Sequence, residues 1–376
     1  MINYENIPSP AYVIDEKALL SNLETIDRVR REGEVEIIVA LKANASWAIF
    51  PLLAAHSDGA TASSLSEALL VKEEFKALAH TYAPIYVESE IDAILDSSSH
   101  ITFNSLAQYQ KYGERARQRG ISCGLRVNPR YSPVETDLYN PCVAGSRLGI
   151  PPEELESLPD GIEGLHFHVL CESRSEHLER ALEAFERYYG KFIHQLKWVN
   201  MGGGHLMTHQ DYNCDHLIEV VKAFKSRHPH LRLILEPGSA FTWRSGTLFS
   251  TIEDIVNNDG IKTAMLNVSF ACHMPDCLEM PYKPTIIGAK DTPSGEKGWR
   301  MGGNSCLAGD YIGDWSFEQE PKVGDRVIFE DMIHYTMVKT TMFNGVSHPS
   351  LVIARCDGSV DIIREYGYQD YKNRMG

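Results

Sequence analysis

One lysine in this sequence of 376 residues stands where its side chain could do chemistry. Lys42 directly follows an apolar run, Ile37 to Leu41, and small residues come after it. A strand that is apolar throughout is typical of parallel sheets buried on both faces, so we expect the lysine at its end to lie in a protein-lined pocket. Poor solvation there favours the neutral amine, which can attack an aldehyde. The alternative is a lysine whose stem covers apolar surface while its ammonium reaches water.

A run of glycines is the second chemical feature. Gly202, Gly203 and Gly204 have no side chains to shield their backbone N–H groups, which could therefore close on a phosphate. The alternative, a merely flexible turn, is disfavoured by the position between a predicted strand and a predicted helix. Gly238 and Ser239 offer a second set of N–H groups, as in the phosphate site that barrels often form after their last two strands.

The spacing of cysteine and histidine gives no strong metal motif. The eight cysteines include no C-x-x-C pair, which argues against zinc-ribbon and thioredoxin sites and indicates reduced thiols. His166 and His168 are spaced to share one face of a strand, and His205 and His209 have helical spacing. Neither pair has an evident third ligand, so we expect no metal site.

The segments that must position these residues repeat a pattern of strand, turn and helix. Candidate strands are Glu36 to Leu41, Gly59 to Ala62, Ile85 to Glu88, Ile101 to Phe103, Ser122 to Val127, Gly164 to His168, Trp198 to Met201 and Arg232 to Leu235. Candidate helices are Glu16 to Arg31, which Asp15 could cap, Ser64 to Leu78, Leu106 to Arg119, Glu176 to Leu196 and Asp215 to His228. Eight strands predict an α/β fold, a (β/α)8 TIM-like barrel, and an open doubly wound sheet is the alternative.

The character of the sequence changes near Phe241. Short alternating runs follow, separated by Gly, Pro and Asp: Leu266 to Phe270, Pro284 to Ile287, Arg326 to Phe329, Tyr335 to Val338 and Leu351 to Arg355. Such runs indicate an antiparallel β domain. We therefore predict a barrel over residues 16–240 and a β domain formed by residues 1–15 and 241–376.

The polar residues follow the ends of the predicted barrel strands. Lys42 follows the first strand, Arg126 and Asn128 lie at the fifth, His168 ends the sixth, the glycine run follows the seventh, and Glu236-Pro237-Gly238 follows the eighth. In a β/α barrel, the loops after the strands build the active site. The sequence therefore predicts one site on this rim.

Composition narrows the class of partner. The net charge of −15 and the pI near 5.5 argue against nucleic acid and anionic membranes, which are bound by an excess of Lys and Arg, but permit a cationic small molecule. The first ten residues lack the basic and apolar regions of a signal peptide, and no apolar stretch reaches about 18 residues. We expect a cytoplasmic protein without membrane or nucleic-acid partners.

Several motifs together resemble a known family. They are Leu41-Lys42-Ala43-Asn44, Leu165 to Glu172, Asn200 to His205, Glu236-Pro237-Gly238, Gly303 to Asp310 and Tyr335 to Gly345. With these motifs the chain resembles the alanine-racemase-like pyridoxal-phosphate decarboxylases over essentially its whole length. The resemblance implies a β/α barrel followed by a β domain. It is strongest to the branch of that family that acts on carboxynorspermidine or carboxyspermidine to make norspermidine or spermidine.

The resemblance implies roles for residues of the barrel. Lys42 is expected to carry pyridoxal 5'-phosphate, and the imidazole of His168 to stack on its ring. Glu236 is expected to face the pyridine nitrogen, where a carboxylate favours the protonated ring and so an electron sink. Because racemases of this fold place an arginine there, Glu236 favours a decarboxylase. The glycine run with Gly238 and Ser239 is expected to bind the phosphate.

Residues of the second domain receive roles from the same resemblance. Cys306 is expected to protonate the product carbon, and Tyr335 to bind the cofactor phosphate. Asp276, Glu279 and Asp310 are expected to bind the distal amine of a cationic amino-acid substrate. The family also implies a homodimer whose active sites take residues from both subunits. The alternatives are a diaminopimelate, ornithine or arginine decarboxylase, an amino-acid racemase, and a non-catalytic homologue.

Three departures from the family pattern affect these expectations. Ser239 replaces an arginine after Glu-Pro-Gly, so the phosphate depends more on backbone donors and Tyr335. Thr61 stands where relatives carry an aspartate near the lysine. Leu170-Cys171-Glu172 replaces the usual Gly-Ser after His168, which argues against simple transfer of ornithine or diaminopimelate specificity.

Overall fold

The computed structural model describes residues 2–279 and 281–376. The chain forms two compact units, one of them Asn22–Phe241 and the other Thr242–Gly376 with the residues up to Ser21. The strands are β1 Ala11–Asp15, β2 Glu36–Ala40, β3 Gly59–Ala62, β4 Ala79–Tyr82, β5 Ser98–Phe103, β6 Ser122–Arg126, β7 Ile162–His166, β8 Trp198–Asn200, β9 Arg232–Leu235, β10 Gly246–Asn258, β11 Ile261–Leu266, β12 Ala289–Asp291, β13 Trp299–Gly302, β14 Tyr311–Phe317, β15 Arg326–Glu330, β16 Ser350–Ala354 and β17 Val360–Arg364.

The helices follow the predicted order. They are α1 Glu16–Gly33, α2 Phe50–Ala55, α3 Leu65–Leu70, α4 Ile91–Leu95, α5 Leu106–Gln118, α6 Ser175–Tyr189, α7 Cys214–Arg227, α8 Ser239–Thr242, α9 Phe270–His273, α10 Pro275–Glu279 and α11 Tyr368–Met375. Short 3₁₀ segments occupy Trp47–Ile49, Pro152–Glu154, Gly190–Gln195, Met337–Lys339 and Phe343–Gly345, and Val71–Phe75 is a π turn. The predicted cap is confirmed, because Asp15 Oδ1 accepts hydrogen bonds from the backbone N–H groups of Lys17 and Ala18.

Strands β2 to β9 close a barrel of eight parallel strands, which confirms the predicted fold. Seven of them lie where the sequence predicts, with ends shifted by a few residues, and β4 does not. The predicted strand Ile85 to Glu88 is a loop, with Ile85 71% and Val87 46% exposed, while Ala79–Tyr82 forms the strand. The error has a physical cause, since Ala-His-Thr-Tyr contains no apolar run, whereas Ile-Tyr-Val is a short apolar and aromatic run of the kind that predicts a strand.

One large side chain fills the amino-terminal end of the barrel. The indole of Trp198, the first residue of β8, packs with Ile38 and Ile234, and its Nε1–H donates to Ser122 Oγ at 2.9 Å. Gly124 and Gly164 on the neighbouring strands β6 and β7 leave space for this ring, because a Cβ at either position would overlap it. Because Trp198 fills this end of the barrel, a pocket can form only at the other end, where the strands have their carboxyl ends.

The second unit is built on a sheet of nine strands. The strand order is β12-β14-β13-β11-β10-β1-β16-β17, and β15 also pairs with β10. Most pairs are antiparallel, as predicted, but β1 with β16 and β11 with β13 are parallel. Ile7, Val13, Phe249 and Val352 form the core beneath β1.

Three predicted strands of this unit differ from the structure. The predicted strand Leu266 to Phe270 is not formed, since β11 ends at Leu266. Helix α9 begins at Phe270, capped by Ser269, whose Oγ accepts a hydrogen bond from Cys272 N–H. The run Pro284 to Ile287 contributes only an isolated bridge between Ile286 and Phe329. The run Tyr335 to Val338 is a turn, since Tyr335 has φ +38° and cannot continue a strand. No helix among the described residues is long and apolar enough to cross a membrane.

The fit of Trp198 into its glycine-lined space predicts a large effect of one methyl group. Gly164→Ala should lower the free energy of unfolding by about 1–3 kcal/mol, because the new Cβ overpacks the barrel floor. Urea denaturation followed by circular dichroism measures this. Gly190→Ala is the matched control, since a Cβ there meets no heavy atom within 4 Å. Equal stability of the two variants would contradict the role given to Trp198.

Candidate active site

A cavity of about 220 Å³ opens at the carboxyl ends of the barrel strands. Lys42 lies in the turn of residues 41–43 that directly follows β2, and it borders this cavity. The other lining residues come from several strands and their loops: Ala40, Leu41, Thr61, Ser63, Tyr82, Pro84, Arg126, Arg147, Leu148, His166, His168 and Glu236. The structure therefore brings Lys42, His168 and Glu236 to one pocket, as the sequence predicts.

The environment of Lys42 favours its neutral amine. The residue is exposed to the cavity, but protein atoms enclose its amine. Burial lowers the pKa of Lys42, the Glu236 carboxylate opposes this, and the Arg126 guanidinium acts in the same direction as burial. The net pKa lies below the usual lysine value, which increases the fraction of the nucleophilic form near neutral pH.

The glycine turn fixes the imidazole of His168. Gly203 N–H donates to His168 Nδ1 at 2.8 Å, so the ring is held in the tautomer with a proton on Nε2. Burial lowers the pKa of His168, and the charges of Lys42 and Arg126 lower it further. The ring is therefore neutral and fixed in orientation, which suits a stacking role.

The three glycines are required by close backbone packing. A Cβ at Gly202 would overlap the backbone at Phe167 and His168, one at Gly203 would overlap the carbonyl of Glu236, and one at Gly204 would overlap the carbonyl of Leu170. Two of the N–H groups that the sequence assigned to a phosphate already have partners inside the protein. Gly202 N–H donates to Asn200 Oδ1 at 2.9 Å, and Gly203 N–H donates to His168. Phosphate binding by this turn stays a prediction, carried mainly by Gly204.

Asn200 is a site residue that sequence reasoning did not single out. Its Nδ2–H donates to Glu236 Oε1 at 2.6 Å, while its Oδ1 accepts from Gly202. The amide orientation is therefore fixed from both ends. Burial raises the pKa of Glu236, against the opposing effects of this hydrogen bond and of the Lys42 and Arg126 charges. The motif Asn-Met-Gly-Gly-Gly contains the residue, but the sequence does not show that its side chain turns toward Glu236.

Glu67 is a second residue that the sequence analysis missed. Its Oε2 accepts from Ser63 N–H at 2.6 Å, and its own N–H donates to Oγ of the N-cap residue Ser64 at 3.2 Å, so both hydrogen bonds fix the start of α3. Burial raises the pKa of Glu67 and the charge of Lys42 lowers it. Glu67 therefore supplies a carboxylate near the lysine where Thr61, buried at the end of β3, cannot. The pattern Ser-x-x-Glu after a strand was the available sequence signal.

Gly238 and Ser239 follow β9, as predicted. Ser239 is 7% exposed and begins the single-turn helix α8, and the Gly238 carbonyl accepts from Phe241 N–H at 3.1 Å. The role of Gly238 and Ser239 in binding the cofactor phosphate stays a prediction.

The second unit contains Cys306 on an exposed loop. Cys306 N–H donates to Asn344 Oδ1 at 2.8 Å, and Asn344 has φ +58° within the turn Phe343–Gly345. Asp310 is 4% exposed, and its carboxylate accepts from Ala271 N–H, Ser305 N–H and Ser305 Oγ at 3.0, 3.1 and 2.6 Å. Asp310 therefore holds the Cys306 loop in place, and a contact of its carboxylate with substrate stays a prediction.

Asp276 and Glu279 lie one turn apart on α10 and share a partner. The ammonium of Lys339 contacts Asp276 Oδ1 and lies 3.0 Å from Glu279 Oε2. Lys339 belongs to the 3₁₀ turn that follows Tyr335, a residue also predicted for the cofactor phosphate. The two acids thus stand together as the sequence predicts, but with a cation of the chain already bound to them.

His166 and His168 stay together in the structure, whereas residues 205–209 form no helix that would bring His205 and His209 to one face. His166 and His168 both border the cavity, and with Glu236 they form a group whose possible metal-ligand atoms lie within 4.8 Å of one another. The sequence analysis found no third ligand there because Glu236 is 68 or more residues away along the chain. His205 is buried at 1% exposure beneath the glycine turn, and His209 lies in the following loop.

These residues fit pyridoxal phosphate. The cavity offers an amine with a lowered pKa, an imidazole fixed by a backbone N–H and a carboxylate held by an amide. They match the aldehyde, the ring face and the ring nitrogen of that cofactor.

Comparison with known proteins also indicates a pyridoxal-phosphate enzyme. A family profile described as pyridoxal-dependent decarboxylase, C-terminal sheet domain, matches residues 11–333. The chain is 50% identical over 372 residues to a carboxyaminopropylagmatine decarboxylase of Synechocystis sp., covering 99% of this chain and 96% of the relative. It is 38% identical over 383 residues to a carboxynorspermidine/carboxyspermidine decarboxylase of Campylobacter jejuni, covering 99% of both.

A solved structure agrees over the full length. The crystal structure of carboxynorspermidine decarboxylase complexed with norspermidine, from Campylobacter jejuni, superimposes with a TM-score of 0.90 at 37% identity. The match covers 98% of this chain and 100% of that one.

The environment of Lys42 predicts selective labelling. Incubation with pyridoxal phosphate followed by borohydride should leave a phosphopyridoxyl group on Lys42 in peptide maps. The neutral amine reacts, and its fraction rises with pH through the lysine pKa, so a lowered pKa moves the midpoint of labelling to lower pH than for free Nα-acetyllysine under the same conditions. Preferential labelling of another lysine, or a midpoint equal to that of Nα-acetyllysine, would contradict the assignment.

Proposed function

Since the chain belongs to the family of pyridoxal-dependent decarboxylases, we propose that it removes the α-carboxylate of carboxynorspermidine or carboxyspermidine and so makes norspermidine or spermidine. The enzyme is a carboxy-lyase and its cofactor is pyridoxal 5'-phosphate. The observation that carries the substrate proposal is the full-length likeness to three relatives, each of which is named for a carboxylated polyamine.

The barrel residues have roles in holding the cofactor. Lys42 provides the amine for its aldehyde, His168 lies against its ring, and Glu236 stands at its ring nitrogen. Gly204, Gly238 and Ser239 with Tyr335 bind its phosphate, with Gly202 and Gly203 bracing the turn. When bound, pyridoxal phosphate accepts the electron pair left on the α-carbon as carbon dioxide departs. Glu236 supports this chemistry by keeping a proton on the ring nitrogen, which a racemase of this fold does not favour.

Cys306 completes the reaction by protonating the α-carbon from its Sγ–H. The side chain is exposed, and the loop that carries it is fixed through Asn344 at its backbone and through Asp310 at Ser305. An exposed thiol on a braced loop can meet a substrate carbon at a defined position.

The distal amines of the substrate bind to acids of the second unit. Asp276 and Glu279 with Lys339 carry a net charge of −1, from two carboxylates and one ammonium. A substrate tail can neutralise this charge or displace Lys339, since a partly exposed ion pair contributes only about 0–1 kcal/mol. A cationic tail therefore fits this group, and Asp310 is the third acid that we propose for it.

Carboxyaminopropylagmatine is the second candidate substrate. The relative named for it is 50% identical to this chain, against 38% for the relative from Campylobacter jejuni. Its tail ends in a guanidinium, which pairs with carboxylates in a planar, two-pronged geometry. Asp276 and Glu279, one turn apart, are suited to either an ammonium or a guanidinium.

A panel of substrates tests the proposed function. Release of carbon dioxide should be fastest, by orders of magnitude in kcat/KM, for carboxynorspermidine, carboxyspermidine or carboxyaminopropylagmatine, and slow for ornithine, arginine and diaminopimelate. The reason is that only the former offer the extended cationic tail. The Lys42→Ala variant is the inactive control. Preference for diaminopimelate would make the substrate proposal wrong, and racemisation without carbon dioxide release would make the reaction type wrong.

The proposal includes a cytoplasmic homodimer with shared active sites. Lys42, His168 and Glu236 belong to the unit Asn22–Phe241, whereas Cys306 and Tyr335 belong to the other unit. The same unit carries exposed apolar side chains on or next to the Cys306 loop and on residues 335–345, namely Leu307, Tyr311, Val338 and Phe343, with exposures of 47%, 42%, 37% and 49%. A second subunit covering this face would give two identical composite sites.

Mixed dimers test this arrangement. Lys42→Ala and Cys306→Ser should each be nearly inactive, but a mixed dimer has one site with both lesions and one with neither. Random exchange makes about half the dimers mixed, so activity should recover to about a quarter of wild type. Each variant incubated alone under the same conditions is the control. No recovery after verified exchange would place Lys42 and Cys306 in the site of a single subunit.

A further inference from the structure

His166 is a buried imidazole that the proposed function does not use. It is the last residue of β7, is 2% exposed and borders the cavity that holds Lys42. Both ring nitrogens are buried, and neither has a hydrogen-bond partner among the described residues. A buried polar group without a partner costs free energy, so its retention calls for a reason.

The carboxylate of Glu236, the acid expected at the cofactor nitrogen, lies beside the His166 ring. His166 Nε2 lies 3.6 Å from Glu236 Oε2, just beyond hydrogen-bond distance and too close for an intervening water. On the strands, His166 of β7 is in register with Arg126 of β6 on one side and with Asn200 of β8 on the other. Asn200 already donates to the other oxygen, Glu236 Oε1.

The protonation state of His166 decides what it offers to this oxygen. Burial lowers the pKa of His166, and the charges of Arg126, Lys42 and His80 lower it further, so the ring is neutral. A neutral imidazole has one N–H and one lone pair. A lone pair on Nε2 would face the Glu236 carboxylate and be repelled, so the proton belongs on Nε2. The edge of the ring is also enclosed by Tyr82, whose ring stands at 82° to it with centroids 5.5 Å apart.

We infer that His166 is a positioning residue that acts through Glu236. Its Nε2–H is the second donor to the carboxylate and, with Asn200, keeps Glu236 ionised and turned toward the cofactor nitrogen. A movement of about 0.6 Å brings the pair to an ordinary hydrogen-bond length of about 3.0 Å. The inference deepens the proposed function, because it rests on pyridoxal phosphate being the cofactor that Glu236 meets.

Nuclear magnetic resonance of the wild-type protein tests the first step without any variant. In protein labelled with ¹⁵N-histidine, the His166 ring should be neutral at pH 7 with its proton on Nε2, and this resonance should move when pyridoxal phosphate binds. His166→Gln identifies the resonance by its loss. A proton on Nδ1, or a charged ring, would overturn the inference.

Infrared spectroscopy of the cofactor-free protein tests the effect on Glu236. The absorption of a protonated buried carboxyl is assigned by its loss in Glu236→Gln. In His166→Phe, which keeps the ring but loses the donor, the pH of half-protonation of Glu236 should rise by about one unit, a tenfold change in the protonation constant. His166→Gln can place an N–H where Nε2 was, so it should restore most of the wild-type value.

Binding of pyridoxal phosphate to the same proteins is the second readout. Its dissociation constant, from equilibrium dialysis, should increase about tenfold in His166→Phe and much less in His166→Gln. If His166→Phe and His166→Gln change the dissociation constant equally, His166 serves packing alone and the inference is wrong. The inference is also wrong if neither variant changes the pH of half-protonation of Glu236. Loss of cofactor binding by the wild-type protein would instead refute the proposed function, which separates the two failures.

Discussion

The candidate site depends on the hydrogen bonds of one glycine turn. Gly202 N–H fixes the Asn200 amide, which in turn holds Glu236, and Gly203 N–H fixes the His168 ring. Three consecutive strands of the barrel, β7, β8 and β9, are thereby tied at the same level of the rim. Because any Cβ in the turn would overlap neighbouring backbone, only glycine permits these contacts. The turn therefore fixes His168 and Glu236, the groups expected to face the cofactor ring, in addition to its predicted role in binding the phosphate.

Much of the architecture could be predicted from the sequence because hydrophobic runs and helical periodicity are local. Seven barrel strands and their helices follow from such runs, whereas β4, with its sequence Ala-His-Thr-Tyr, depends on pairing with His100 and its neighbours on β5. The loop Ile85 to Glu88 was mistaken for that strand because its composition alone favours one. In the second unit, Tyr335 shows the same limit, since a positive φ is imposed by its surroundings and leaves no trace in the sequence.

The site was predicted less completely than the fold, for a physical reason. Lys42, His168 and Glu236 carry side chains whose chemistry is recognisable in a motif, and the structure brings them to one cavity. Asn200 and His166 act on other side chains, and such contacts depend on register between strands that are far apart in the chain. Asp310 has a role that its motif does not reveal. The motif suggests a substrate ligand, which stays a prediction, and its three hydrogen bonds show that it also braces the loop of Cys306.

The electrostatics of the pocket connect its stability to its cofactor. The pKa of Glu236 is raised, so the stability it contributes at low pH is lost as pH rises through that pKa. The pKa of Lys42 is lowered, so stability is lost as pH falls from about 10.4, the usual lysine value, toward the folded value. Near neutral pH both groups therefore oppose folding of the cofactor-free protein. A cofactor that binds only the folded chain offsets this cost by mass action. The burial that makes the lysine nucleophilic is thus tolerated because the ligand it serves also stabilises the fold.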